Sequence, residues 1–103
     1  MTNLQNLLKQ AQRIQSQVSQ MQAELGERRI ETSSGGGMVT AVVNGRQELI
    51  ELKIDPQVVN PEDVEILEDL VVAAVSEALS RASELAAEEM KKVTGGMALP
   101  GLF

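Results

Sequence analysis

Apolar side chains recur along the first quarter of the chain at Leu4, Leu7, Ala11, Ile14, Val18, Met21 and Leu25, in steps that alternate three and four. This is the a/d spacing of a narrow helical seam rather than of a broad globular face. Between these positions sit Gln5, Gln10, Gln12, Gln15, Gln17, Gln20 and Gln22, which favour a helix without adding charge. Thr2 with Gln5 fits a capping box, and Gly26 is placed to end the helix. About 22 residues at ~1.5 Å each predict a rod of roughly 33 Å. That is long for so short a chain, so part of it is expected to project or to meet another chain.

The period then changes. After the charged hinge Glu27-Arg28-Arg29, a weak strand is expected around Ile30, followed by the glycine-rich connector Ser33-Ser34-Gly35-Gly36-Gly37, expected to be mobile. Met38 to Val43 is β-branched and aliphatic, and Asn44-Gly45 fits a two-residue type I′ hairpin turn. That turn would pair Val39 with Ile50 and Ala41 with Glu48. One sheet face would carry Val39, Ala41, Val43, Ile50, Leu52 and Ile54. The other would carry Met38, Val42 and Leu49 among Thr40, Gln47, Glu51 and Lys53. The second face is too apolar for open water and too polar for a closed core. It suits a subunit interface, with Met38, Val42 and Leu49 as the contact residues. A one-residue slip would exchange the two faces.

Asp55-Pro56 ends the strand, because proline supplies no ladder N–H. Asn60-Pro61-Glu62-Asp63 reads as a helix start, and the helix should run to about Val93, where Lys91, Lys92 and then Gly95-Gly96 mark its end. Its first half is apolar over a wide arc, and its second half narrows to an alanine-rich seam. Residues 1–94 are thus expected to form a single α+β domain: a long N-terminal helix, a small antiparallel sheet of about three strands and a long C-terminal helix. Residues 95–103, which include MALPGLF, are expected to be a flexible C-terminal tail.

Composition narrows the chemistry. The 103 residues contain no Cys and no His, so disulfides, thiolate catalysis, His-based acid–base catalysis and the common zinc sites are all excluded. Phe103 is the only aromatic residue. Single-strand stacking platforms and RNA-recognition motifs are therefore excluded too. The glycine tract lacks the Lys-Ser/Thr and following helix of a phosphate loop, and reads as a strand connector. Glu62, Asp63, Glu65, Glu68 and Asp69 lack the alternating ligand spacing of a calcium loop, and read as an acidic helix start with a solvated face. Paired carboxylates for glycoside chemistry would need a deep cleft, which a thin sheet with two long helices rarely provides. No catalytic residue, metal site, cofactor or small-molecule substrate is expected. There is no leader pattern and no membrane-length apolar run, which predicts a soluble, cytoplasmic protein.

The net charge of −6 is unevenly placed. Residues 1–54 carry six Lys/Arg against five Asp/Glu, whereas residues 55–103 carry three against ten. The first half can face a polyanion, and the second half alone would repel one. Lys9 and Arg13 lie i, i+4 off the seam of the first helix. Arg28 and Arg29 sit at its far end, Arg46 follows the hairpin turn, and Arg81, Lys91 and Lys92 mark the outer half of the last helix. These eight are the candidate contacts for a polyanion; ordinary solvated charge is the plainer account of them. The seam residues likewise fit packing within the chain or between chains.

The ordered set LLKQAQRIQSQVSQMQAEL, GGGMVTAVVNGRQELIELKIDPQVV, EDLVVAAVSEALSRASELAAEEM and VTGGMALPG resembles the YbaB/EbfC family of nucleoid-associated DNA-binding proteins across essentially the whole chain. The resemblance implies a homodimer joined through its sheets, with helices projecting like tweezers. It implies duplex DNA as the partner, a nucleoid location, a role in DNA organisation and gene regulation, and no enzymatic activity. It supplies no short DNA-reading motif, so the eight basic residues remain assigned by charge and position. A protein-interaction or adaptor module that uses its heptad helices without binding DNA is the alternative reading.

Overall fold

A computed structural model describes residues 3–95 of the chain. The elements run in order as helix α1 (Asn3–Glu27), strands β1 (Ile30–Ser34), β2 (Val39–Val43) and β3 (Leu49–Ile54), and helix α2 (Val64–Thr94). The three strands form one antiparallel sheet in the order β1-β2-β3. The expected α+β plan is therefore found. The Thr2–Gln5 capping box and the tail beyond Gly95 lie outside the described residues.

The core is the contact of α2 with one face of the sheet. Val39, Ala41 and Val43 of β2 alternate toward Ala74, Ala78 and Ala82 of α2, and all six are fully buried. Alanine at every fourth position lets the helix backbone approach the sheet closely, and valines from the strand fill the space. β1 contributes a different chemistry. The Thr32 hydroxyl donates to the Ala74 carbonyl and the Ser34 hydroxyl to the Leu70 carbonyl, each at 2.6 Å. The alternate residues Ile30, Thr32 and Ser34 therefore face α2, and a strand that looks polar in sequence is tied to the helix by satisfied hydrogen bonds.

The glycine tract connects β1 to β2 as expected, with Ser33 and Ser34 belonging to β1, whereas the β2–β3 turn departs from expectation. Gly35–Gly37 forms one tight turn with φ of 60°, 67° and 95° at its three glycines, a run of left-handed conformations that side chains disfavour. The β2–β3 connection is longer than a two-residue turn. The Asn44 amide donates to the Glu48 carbonyl, closing a loop of Gly45, Arg46 and Gln47 in which Gln47, not Gly45, has positive φ (63°). The Asn44 side chain organises this loop. Its Oδ1 accepts from the Arg46 and Glu48 amides, and its Nδ2 donates to Glu48 Oε1 at 2.7 Å.

The longer loop moves the register, so that Val39 pairs with Ile54 and Ala41 with Leu52 rather than with Ile50 and Glu48. The displacement is an even number of residues, so Leu52 and Ile54 keep the face expected for them. An irregularity beside Val42/Val43 sets Leu49 opposite Val43 and Glu51 opposite Val42, so Leu49 shares the face of Val43 and not, as expected, that of Val42.

α2 begins three residues later than the proline suggests. Asn60-Pro61-Glu62-Asp63 is a turn, with the Asn60 carbonyl accepting from Asp63 N and its side chain from Glu62 N. Its end is as expected: Gly95 at φ 62° caps it, donating to the Lys91 and Lys92 carbonyls. At its other end, β3 stops at Asp55, whose carboxylate accepts from Gln57 N in a short 3-10 turn.

Only part of α1 is covered. Met21 and Leu25 are buried, Ile14 and Val18 are half-buried, and every residue from 3 to 13 is exposed. Leu4, Leu7 and Leu8 retain 68%, 60% and 56% of their accessible surface. The described chain therefore spans 73 × 23 × 18 Å, a small sheet-and-helix body with a helical stalk.

Candidate nucleic-acid interface

The geometry of the stalk follows from two contacts. At its base, the Leu25 carbonyl accepts from the Gly45 amide at 2.8 Å, which fixes the end of α1 on the β2–β3 turn. Further out, Gln17, Gln20, Met21 and Glu24 of α1 face Glu89, Lys92 and Val93 of α2 across an open groove of about 220 Å³. The two helices therefore run antiparallel along the stalk. α2 ends at Thr94, close to Gln17, and among the described residues α1 continues alone.

The eight basic residues separate into groups along this stalk. Lys9 and Arg13 lie on the uncovered part of α1, one helical turn apart, and have no ion pair among the described residues. Arg13 precedes Gln17 by four residues and so shares its side of the helix. That aligns Lys9 and Arg13 with the lip of the groove that holds Lys92. Lys92 is ion-paired with Glu89 at 3.1 Å, and Lys91 beside it has no ion pair among the described residues. Both cations also sit at the C-terminal end of α2, where the helix dipole favours them.

The others are farther from the tip. Arg81 bridges to Glu77 at 2.7 Å on the middle of α2. Arg29 Nη1 donates to the Gly26 and Arg28 carbonyls, so its guanidinium serves the last turn of α1. Arg46 lies 4.0 Å from Glu48, and its side chain lies over Gly26 of α1, 3.3 Å from where a Cβ would stand. Arg28 is exposed at the same joint. The structure thus sets Lys9 and Arg13 on the outer part of α1 and Lys92 in the groove, with Lys91 next to it in the chain, and collects Arg28, Arg29 and Arg46 at the base.

The electrostatic contrast between stalk and body is sharp. From Asn3 to Ala23 α1 has two cations and no acid; the first carboxylate is Glu24, at the base end of the groove. α2 interleaves its three cations with Glu77, Glu84, Glu88 and Glu89. A polyanion therefore meets least repulsion at the outer part of α1. Sequence reasoning left Gln17 and Gln20 out of the candidate set, although their spacing from Arg13 was the available signal. It also left out Lys53, which pairs with Glu51 at 3.8 Å on the edge strand.

The remaining candidate surface is on the sheet. Val42 is half-buried on the face turned away from α2, and Met38 is half-buried just before β2. Leu49, Ile50, Leu52 and Ile54 of the edge strand β3 are all exposed. Among the described residues there is no cluster of metal-ligating side chains, and no helix is long and apolar enough to cross a membrane.

Comparison with known proteins places this arrangement. A family model described as the YbaB/EbfC DNA-binding family matches residues 1–97. A nucleoid-associated protein of Thermoanaerobacter pseudethanolicus is 54% identical over 101 residues, covering 98% of this chain and 91% of the relative. A nucleoid-associated protein of Moorella thermoacetica is also 54% identical, covering 98% of this chain and 97% of the relative. The crystal structure of an uncharacterised protein from Helicobacter pylori superposes with a TM-score of 0.62 at 26% identity, covering 82% of this chain and 93% of that one.

Proposed function

The chain belongs to the YbaB/EbfC DNA-binding family, and on that premise we propose that it acts as a homodimer holding duplex DNA along its projecting helices. The contacts are mainly to phosphates, and the consequence is an effect on DNA organisation and gene expression in the nucleoid of the cytoplasm. The observation that carries this reading is the uncovered outer part of α1, with Lys9 and Arg13 unpaired among the described residues and no carboxylate before Glu24.

Lys9 and Arg13 lead the set of DNA contacts. Lys92 follows, because it lines the groove opposite Gln17 and Gln20, and Lys91 lies next to it in the chain. Arg28 is next, at the joint. Arg29, Arg46 and Arg81 complete the set with less freedom, since each already serves a neighbour. In the dimer, two-fold symmetry doubles every one of these groups. Met38, Val42 and Leu49 are assigned to the dimer contact. Phosphate contact by so few cations gives broad sequence preference, with any selectivity coming from DNA shape.

A salt-dependent gel shift on duplex DNA tests the proposal. Binding should be present at low salt and fall steeply as salt rises. Replacing Lys9 and Arg13 together by Glu should weaken binding to all sequences alike and flatten the salt slope by about one unit per lost contact. Unchanged affinity, with the dimer intact, would move the site off α1.

A second reading is favoured by the bare stripe of Leu4, Leu7 and Leu8, whose exposure suits a partner helix. On that reading the chain is a protein-interaction or adaptor module. Absence of any gel shift at low salt would select it.

A further inference from the structure

We propose that the side-chain amides of Asn6, Gln10 and Gln17 make a second, uncharged set of DNA contacts alongside Lys9 and Arg13. The inference rests on the reading of α1 as the DNA-holding element. At about 100° per residue, Asn6, Lys9, Gln10, Arg13, Gln17 and Gln20 fall within an arc of about 100° on α1, extending over about 21 Å. Of the seam residues, Ile14 and Leu7 lie nearest one edge of this arc and Leu4 and Ala11 on the far side of the helix, and its inner end forms the lip of the groove beside Lys92. Both free cations of α1 are on it, so a strand that meets Lys9 and Arg13 also meets the amides between and beside them.

The amides are available. Among the described residues those of Asn6, Gln10 and Gln17 have no side-chain hydrogen bond, whereas Gln20 donates to Glu24 at 3.3 Å. Each offers two N–H donors to phosphate or sugar oxygens and carries no charge. A neutral contact of this kind releases no counterion. It therefore adds affinity by the same factor at every salt concentration, while the Lys and Arg contacts fade as salt rises. The two cations that each α1 supplies would by themselves be a weak hold near physiological salt. The amide row supplies the part of the binding that salt does not screen.

The two sets are separable by experiment. Duplex binding would be followed by fluorescence anisotropy across a salt series for wild type, for Gln10→Ala with Gln17→Ala, and for Gln5→Ala with Gln12→Ala. The last pair lies outside the arc, roughly a quarter-turn from its centre. Alanine is the stronger helix former, so no variant weakens the helix itself. The Gln10/Gln17 variant should bind about tenfold more weakly at every salt concentration, with the slope unchanged. The Gln5/Gln12 variant should match wild type. Wild-type binding by the Gln10/Gln17 variant, a change in its slope, or an equal loss in the Gln5/Gln12 variant would each overturn the proposal while leaving DNA binding by α1 intact. Absence of binding by the wild type would instead overturn the underlying reading, and this proposal with it.

Discussion

Gly45 shows how a correct local signal can have a different cause. Asn44-Gly45 marks a turn in the sequence because both residues tolerate positive φ, yet neither has it here. Gly45 is required by the neighbouring helix: a Cβ would stand 2.7 Å from Leu25 Cδ2 and 2.8 Å from the Leu25 carbonyl oxygen. The Leu25 oxygen is backbone and is already held by the Gly45 amide. Gly45→Ala should therefore destabilise the protein by about 1–3 kcal/mol, the cost of overpacking a tight contact. Urea unfolding would check this, and an unchanged midpoint would mean that the α1 joint yields freely. The residues that define the loop, Asn44 through its carboxamide and Gln47 through its left-handed backbone, carry no sequence pattern that separates a three-residue loop from a two-residue one. The register was lost there for that reason.

At the scale of elements, the seam of α1 was legible but its covering was not. An unbroken three-four spacing is the same whether α2, another chain or water lies against it. The structure divides it, with Leu25 and Met21 inside and Leu4 and Leu7 outside. Leu25→Ala should cost about 2–5 kcal/mol as a buried leucine truncation. Leu7→Ala should stay within about half a kcal/mol in a monomeric, DNA-free sample. Equal losses at the two sites in thermal or urea unfolding would show that the outer stripe is covered in solution. β1 was the least legible strand, because Thr32 and Ser34 look like surface residues until the carbonyls of Leu70 and Ala74 are seen to receive their hydroxyls. α2 was legible through its end signals, and its start was misplaced because Asn60-Pro61 suits a turn as well as a cap.

At the scale of the molecule, the sheet leaves more apolar surface open than a lone domain of this size tolerates well. The edge strand exposes Leu49, Ile50, Leu52 and Ile54, and α2 adds Val64, Ile66 and Val72. An uncovered aliphatic edge strand is an aggregation hazard unless something seals it. A second copy is the proposed seal, so light scattering at micromolar concentration should return twice the chain mass. Leu49→Lys, which places a charge on that edge opposite Val43, should shift the sample toward monomer. A wild-type sample that stays monomeric would remove the two-fold arrangement. The candidate DNA contacts were legible as charges. What the sequence withheld was their relation: Lys92 comes to lie across a groove from Gln17, one helical turn along α1 from Arg13, because α1 and α2 run antiparallel there.

The anchoring of α1 at one end has a thermodynamic consequence. Its outer eleven residues, 3–13, are all exposed. A helical segment of that length is marginal in water without tertiary support. Nucleation is supplied at the Leu25 joint, so the stalk melts from its tip inward, well before the sheet opens. Any ligand gripping Lys9 and Arg13 must therefore also complete the helix beneath them. Association then carries the unfavourable entropy and negative heat-capacity change of coupled folding, and its strength varies with temperature more than rigid docking would allow. The tip exchanges affinity for a loose fit, which suits the proposed contact with a phosphate backbone common to all sequences.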